Sequence, residues 1–391
     1  MMNNISIVFK NVSKLRYLKR SSLFILSVRH NHLNSNKAIS YVENIVGCSV
    51  PVFDLKWLPE VDLESHFRKL IGSQHPITNA IREISLDESL SWSLITLLVS
   101  KAAVLSENSS KHGNDLNPGI FQKQMVLATI TEMIRISNIF HKNIINIHKD
   151  DYQKHVSFGN TLSLLIGDYL ESETLMQLAS LKCNKVLELV ISTFRDVAEA
   201  EFIEPQDGQS RPLPASPLST KEKNSMPNHL DQDIFVIEEI LGNAKAEWIM
   251  RHVLGGASLL AKSCQAAMML ADHSEELEQS AYTIGRSIAL SQQLQKDISN
   301  YKSTEFGPFS LISAPMMFYI QDNVDFYQTL MENVEKDDIN YNEIRNLVIN
   351  GNAIEKSLEL KDEFVLNGME ALNQFPENKA KNALINILQS I

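Results

Sequence analysis

Proline is the residue that most constrains this chain. Its 391 residues hold 12 prolines and 14 glycines. Five of those prolines (Pro205, Pro212, Pro214, Pro217 and Pro227) fall inside the single stretch 204–230. A proline within a helix removes a backbone hydrogen bond and clashes with the preceding turn. The long tracts on either side of 204–230 are therefore open to helix, while short strands bounded by glycine would need more of both residues. The stretch itself, rich also in Ser, Gln, Asn and Lys, is expected to be a disordered loop, because it offers too little apolar surface to offset the entropy of ordering it.

The apolar pattern agrees with helix. Ile130, Met133, Ile134, Phe140, Ile144 and Ile147 recur at three- and four-residue steps and trace one helix face. The same periodicity predicts helices over 63–71, 77–85, 94–104, 120–148, 158–174, 186–198 and 234–253. Further helices are expected over 258–271, 275–299, 322–334, 341–349, 354–375 and 379–391. Residues 72–76 and 107–118 read as turn and loop. Met268–Leu270 and Met317–Ile320 read as ordinary core. No alternating pattern competes, so the body is expected to be all-α. Between Phe158 and Leu170 the one formally charged side chain is Asp168. A helix so poor in charge lacks a solvated face and is expected to be covered on both sides, within the domain or between subunits.

Charge separates a leader from the body. Residues 1–42 carry Lys10, Lys14, Arg16, Lys19, Arg20, Arg29 and Lys37 and no acid before Glu43. Seven of the 36 basic residues lie there, leaving 29 against 47 acids, a formal −18 for the rest. An acid-free, Ser- and Asn-rich basic segment of this kind reads as a mitochondrial transit peptide, with a matrix protein spanning 43–391. The mature amino terminus is then expected between Arg29 and Glu43. The acidic body offers no basic stripe for nucleic acid. Cys48, Cys183 and Cys264 are odd in number and far apart, which fits neither a zinc site nor a disulfide framework. No stretch approaches the ~18–20 apolar residues of a membrane span.

Four segments carry a family resemblance. His141-Lys-Asn-Ile-Ile-Asn146 resembles the His-Asp-Asp-x-x-Asp motif of the trans-prenyltransferases that make polyprenyl diphosphates. Phe158-Gly-Asn, continuing to Gly167-Asp-Tyr169, resembles the Gly-Asn … Gly-Asp-Tyr helix of that family. Ala257–Ala267 is similar to its Ala-Ser-Leu-Ile-Ala-x-Ser-Cys-x-Ala-Ala segment. Gly285–Asp297 resembles the stretch holding Phe-Gln-Leu-x-Asp-Asp-x-x-Asp. Four segments in order are specific where one would be weak. The resemblance implies a single large helical bundle of the isoprenoid synthase type. In that family two aspartate-rich helix ends face each other and hold Mg2+ against an allylic diphosphate, since a hard cation favours carboxylate and phosphate oxygens.

This chain departs from the family at those positions. The first motif holds Lys142, Asn143 and Asn146, and the second holds Lys296, Asp297 and Asn300, so one carboxylate of six remains. Ser89, Leu90 and Trp92 stand in the Ser89–Ser93 run that replaces a diphosphate-binding Lys-Arg-x-Arg-Pro. Gly255-Gly256 replaces Lys-Thr, and no Arg-Arg pair follows the first motif. Asp150-Asp151 lies at the wrong helical phase to compensate. His141, His148 and His155 recur every seven residues but are expected to lose alignment where the helix ends near His148. Asp168, on its apolar helix, is open to a catalytic role but reads rather as a buried carboxylate paired with a partner's base.

The resemblance extends to the non-catalytic subunits of heteromeric decaprenyl or solanesyl diphosphate synthases. It implies no catalytic residue and no metal on this chain. It also implies a catalytic partner that carries Mg2+, in a hetero-oligomer of the heterotetramer kind, and a polyprenyl product that becomes the tail of ubiquinone. Leu162, Leu165, Ile166 and Tyr169, with Leu170, are the expected interface. Two other readings stay open: a self-sufficient prenyltransferase with an unusual site, and an isoprenoid-binding or scaffold protein outside the synthase.

Overall fold

The computed structural model describes residues 91–104, 118–146, 154–217, 235–302 and 307–391, together with Ile45. The expected leader, the helices over 63–71 and 77–85, the turn at 72–76, Ser89 and Leu90 lie outside the described residues. Those residues form thirteen α-helices and no strand. The first four are α1 (Trp92–Ala102), α2 (Pro118–Lys142), α3 (Lys154–Ser180) and α4 (Asn184–Ala200). Next come α5 (Ile237–Ile240) and α6 (Ala244–His252), which runs through a π-helical turn (Val253–Ala257) into α7 (Ser258–Met269). The rest are α8 (Glu275–Lys302), α9 (Ala314–Asp322), α10 (Val324–Glu335), α11 (Tyr341–Asn350), α12 (Ala353–Leu372) and α13 (Lys379–Ser390).

Helix α1 lies at the centre because it is apolar all round. Leu94, Ile95, Leu97, Leu98 and Val99 are each at most 1% exposed, and burying each contributes roughly 2 kcal/mol. Its hydroxyls survive there by bonding back along the helix, Thr96 Oγ1 to Trp92 O at 2.9 Å and Ser100 Oγ to Thr96 O at 2.8 Å. Gly285 brings α8 against α7, since a Cβ there would lie 2.7 Å from Leu260 O. The bundle closes where Asn378 caps α13 through Lys381 N at 2.9 Å. The Asn378 amide also donates to Ala102 O and Val104 O, at 2.8 and 2.9 Å, at the end of α1.

Three expectations need correcting. The run over 234–253 is two helices, because Gly242 takes φ +83° and breaks it. Helix α9 was not expected, since Ala314–Asp322 is buried over most of its surface and shows no amphipathic period. Residues 204–217 are not disordered. They form a strap anchored by Ile203, just before it, and by Leu213 within it, 2% and 6% exposed, and Leu213 N donates to Pro205 O at 2.8 Å. Residues 218–230 of the same stretch lie outside the described residues.

Candidate functional site

One residue of each altered motif is held by the stretch from α6 through the π-helical turn, Lys142 at Gly255 and Asp297 at Trp248. Lys142 is the last residue of α2, and its Nζ donates to Gly255 O at 2.7 Å across the π-helical turn. That turn contains Gly256 in a non-helical conformation. The Lys142 side chain keeps accessible surface, but protein surrounds its ammonium. This enclosure lowers its pKa, and the Glu201 carboxylate acts in the opposite direction. Asn143 Nδ2 turns back to Ile139 O at 2.6 Å and so serves its own helix.

Asn146 has taken another task. Its N–H donates to Gln209 Oε1 at 3.0 Å, and Gln209 Nε2 returns a bond to Asn146 O at 3.2 Å. Asn146 Nδ2 also donates to Gly208 O at 3.2 Å. The third position of the first motif thus holds the tip of the strap. The strap's base is clamped from α6. Arg251 donates to the carbonyls of Ile203, Glu204 and Leu213 at 3.1, 3.1 and 3.2 Å. Its Nε pairs with Glu247 Oε1 at 2.9 Å, and both side chains are almost fully buried.

Asp297, the remaining carboxylate, is 2% exposed and saturated by the protein. Oδ2 accepts from Trp248 Nε1 and from Ala314 N, both at 2.9 Å, and Oδ1 accepts from Gln293 Nε2 at 2.7 Å. It therefore fixes the first turn of α9 and the indole of α6. The His252 ring stacks on Trp248 with centroids 4.4 Å apart, and its Nδ1 lies 2.8 Å from Trp248 O. Burial lowers the His252 pKa; Asp297 raises it, and Lys142 and Arg251 lower it further. Trp92 Nε1 reaches Gln292 Oε1 at 3.4 Å from the facing helix. Lys296 is exposed, and Asn300 is half-buried.

A divalent metal does not fit this donor set. Metal would meet the ammonium of Lys142 and amides at Asn143 and Asn146, while the oxygens of Asp297 are already occupied. Among the described residues no group of three His, Cys, Asp or Glu side chains is placed to hold an ion. Asp150, Asp151 and His148, and the His155 side chain, lie outside the described residues. Sequence reasoning missed Trp248, His252 and the Arg251–Glu247 clamp. The i, i+4 spacing of Glu247 and Arg251 was the available signal.

Helix α3 also differs from expectation, because it does have an exposed face. Ile166 and Leu170, 3% and 1% exposed, pack on Met133, Ile136 and Phe140 of α2, with Leu162 and Tyr169 against them. Leu164, Leu165, Leu175 and Met176 are 47%, 60%, 43% and 63% exposed. Ile166 is thus internal core rather than interface, whereas Leu165 faces outward. Asp168 is exposed, not buried, and sits 3.4 Å from His141 Nε2, while His141 Nδ1 lies 3.3 Å from Glu171 Oε1. The hydrogen bond to Glu171 raises the His141 pKa against partial burial. A Cβ on Gly167 would lie 2.0 Å from His141 Nε2, so glycine there makes room for the ring.

No family model matches the chain. It is 30% identical over 376 residues to human all trans-polyprenyl-diphosphate synthase PDSS2, covering 91% of this chain and 87% of that one. It is 24% identical to a probable mitochondrial hexaprenyl pyrophosphate synthase of Neurospora crassa, covering 95% and 90%. It is 25% identical to decaprenyl-diphosphate synthase subunit 1 of Schizosaccharomyces pombe, covering 70% and 68%. Among solved structures, the apo medium/long-chain length prenyl pyrophosphate synthase of Arabidopsis shares the fold. The TM-score is 0.53 at 23% identity, covering 84% of this chain and 94% of that one.

Proposed function

The chain belongs to the all-trans polyprenyl diphosphate synthase family, and from that premise we propose that it is a non-catalytic subunit of a mitochondrial polyprenyl diphosphate synthase. The product is an all-trans polyprenyl diphosphate of the decaprenyl class, which supplies the side chain of ubiquinone. The observation that carries the non-catalytic reading is the state of Asp297. The one carboxylate left from the two motifs is buried and engaged by three protein donors, so it is an internal anchor rather than a metal ligand. Mg2+ then resides on a catalytic partner subunit, and this chain carries none.

The outward face of α3 is the surface we assign to that partner. Its four exposed apolar side chains, Leu164, Leu165, Leu175 and Met176, are what a subunit contact would cover. The acid-free leader supports a place in the matrix. Such a subunit stabilises the partner's fold and its product tunnel without touching the reacting atoms. The test is co-expression with the catalytic subunit, followed by co-purification and a prenyl transfer assay on the complex and on each chain alone. Activity is expected in the complex and none in this chain alone. Mg2+-dependent turnover by this chain in pure form would overturn the reading.

A further inference from the structure

The α3 face assigned to the partner has a charged group at its centre. Asp168 follows Leu164 by four residues and precedes Leu175 by seven, so the helical period puts all three in one stripe. Its carboxylate is 57% exposed. Glu171, one turn further on, is half-buried beside it. Among the described residues neither acid pairs with a lysine or arginine; the base that meets both is His141, reaching across from α2. Its Nε2 lies 3.4 Å from Asp168 Oδ1, and its Nδ1 lies 3.3 Å from Glu171 Oε1. The ring has this position because residue 167 is glycine and leaves room for it.

Both ring nitrogens therefore face carboxylate oxygens. A neutral imidazole has one N–H and one lone pair, so one of the two contacts would set a lone pair against an anion. The imidazolium donates at both. From this geometry we infer that His141 is the counter-ion that lets the α3 face be covered, and that joining the catalytic partner is coupled to binding a proton at His141. The inference rests on the reading of α3 as the partner surface, and it deepens that reading by naming how the surface is regulated.

The electrostatics run in the same direction. Contact strips water from Asp168, and a carboxylate buried without a cation is costly. His141 is already 28% exposed only, so the partner removes little more water from the ring while strengthening its attraction to Asp168. The proton is thus held more tightly in the complex than in the free chain. The charges facing the ring are those of Asp168 and Glu171 on α3; on α2, Lys142 turns to Gly255 O and Arg135 to Glu132. In the free chain the hydrogen bond to Glu171 already holds the His141 pKa above its usual value against partial burial, with Asp168 in support. By linkage, the gain in affinity is fully present below the free chain's pKa and is lost as pH rises through the higher pKa of the complex. A second copy of this chain would bring another Asp168 and Glu171 to the same contact, so like charge points to a different chain as the occupant.

The test is the dissociation constant between the full chain and the catalytic subunit, measured by sedimentation from about pH 6.5 to about pH 9. Affinity should fall roughly tenfold across that range. His141→Gln should bind at the weak level at every pH. Asp168→Asn, with no charge to bury, should bind at least as tightly as wild type and without pH dependence. Calorimetry in buffers of different ionisation enthalpy should show net proton uptake by the wild-type pair and none by either variant. Circular dichroism checks that each variant is folded; should His141→Gln unfold, Asp168→Asn and the wild-type proton uptake still decide.

A complex whose affinity is flat with pH, formed without proton uptake, overturns this inference and leaves the proposed function standing. An Asp168→Asn variant that is folded and loses the complex at every pH means that the partner brings its own cation, which also overturns it. So does a chain that pairs with itself through this face, seen as a dimer that Leu165→Asp abolishes. No complex at any pH overturns the proposed function, and this inference with it.

Discussion

Replacing Asp297 by alanine removes one carboxylate and strands three donors at once. The Trp248 indole N–H, the Ala314 backbone N–H and the Gln293 amide all point at it. The position is 2% exposed, so water cannot replace the lost acceptor. A stranded buried donor costs roughly 1–3 kcal/mol. Gln293 is only half-buried and can turn to solvent. Two fully stranded donors and the lost first-turn anchor of α9 then sum to roughly 3–5 kcal/mol. For a chain of this size that is a fall in Tm of roughly 6–10 °C, at about 2 °C per kcal/mol. Asp297→Asn keeps one acceptor oxygen for Trp248 and Ala314 and should cost roughly 1 kcal/mol. Lys296→Ala, next in sequence but exposed, should stay within about 0.5 kcal/mol of wild type. Thermal unfolding followed by circular dichroism, with Mg2+ and with chelator, ranks the three. An Asp297→Ala protein as stable as wild type would falsify the anchor argument. So would a wild-type Tm that Mg2+ raises and the variant loses, since that is the signature of a metal ligand.

Three further outcomes follow from the same contacts. Leu165→Asp, at an exposed position, should leave the isolated chain helical and abolish co-purification with the catalytic subunit; Ile166→Asp, one residue on, should unfold the chain itself, as circular dichroism will report. Arg251→Ala leaves Glu247 as an unpaired buried charge and frees three carbonyls, so it should cost roughly 3–5 kcal/mol. The same variant should open residues 204–217 to limited proteolysis, and equal resistance in both proteins would refute the clamp. His141 has a folded-state pKa raised by its hydrogen bond to Glu171. Its contribution is therefore fully present below the unfolded value near 6.5 and is lost as pH rises through the folded pKa. The Tm difference between wild type and His141→Gln should shrink from pH 6 to pH 9, and a difference that widens would contradict the assignment.

The parts of this protein that local chemistry controls could be read from its residues. Helices such as α2, α8 and α12 follow from periodic apolar positions and few prolines, because helical hydrogen bonds join residues four apart and amphipathic spacing is local. That Lys142, Asn143, Asn146 and Lys296 carry no carboxylate is likewise a matter of residue identity alone. Where packing decides, the reading failed or stopped. A charge-poor helix looked covered on both sides, yet α3 buries only the row set by Ile166 and Leu170, and its other leucines are left outside. Helix α9 showed no period because neighbouring elements cover it. The proline-rich strap is ordered by partners distant in sequence, 38–48 residues away at Arg251 and 62–63 at Asn146. The role of Asp297 depends on Trp248, 49 residues before it, and on Ala314, 17 after. A hydrogen bond of that kind costs the same sequence whichever fold makes it, so only the tertiary structure could turn a surviving metal-motif aspartate into a structural anchor.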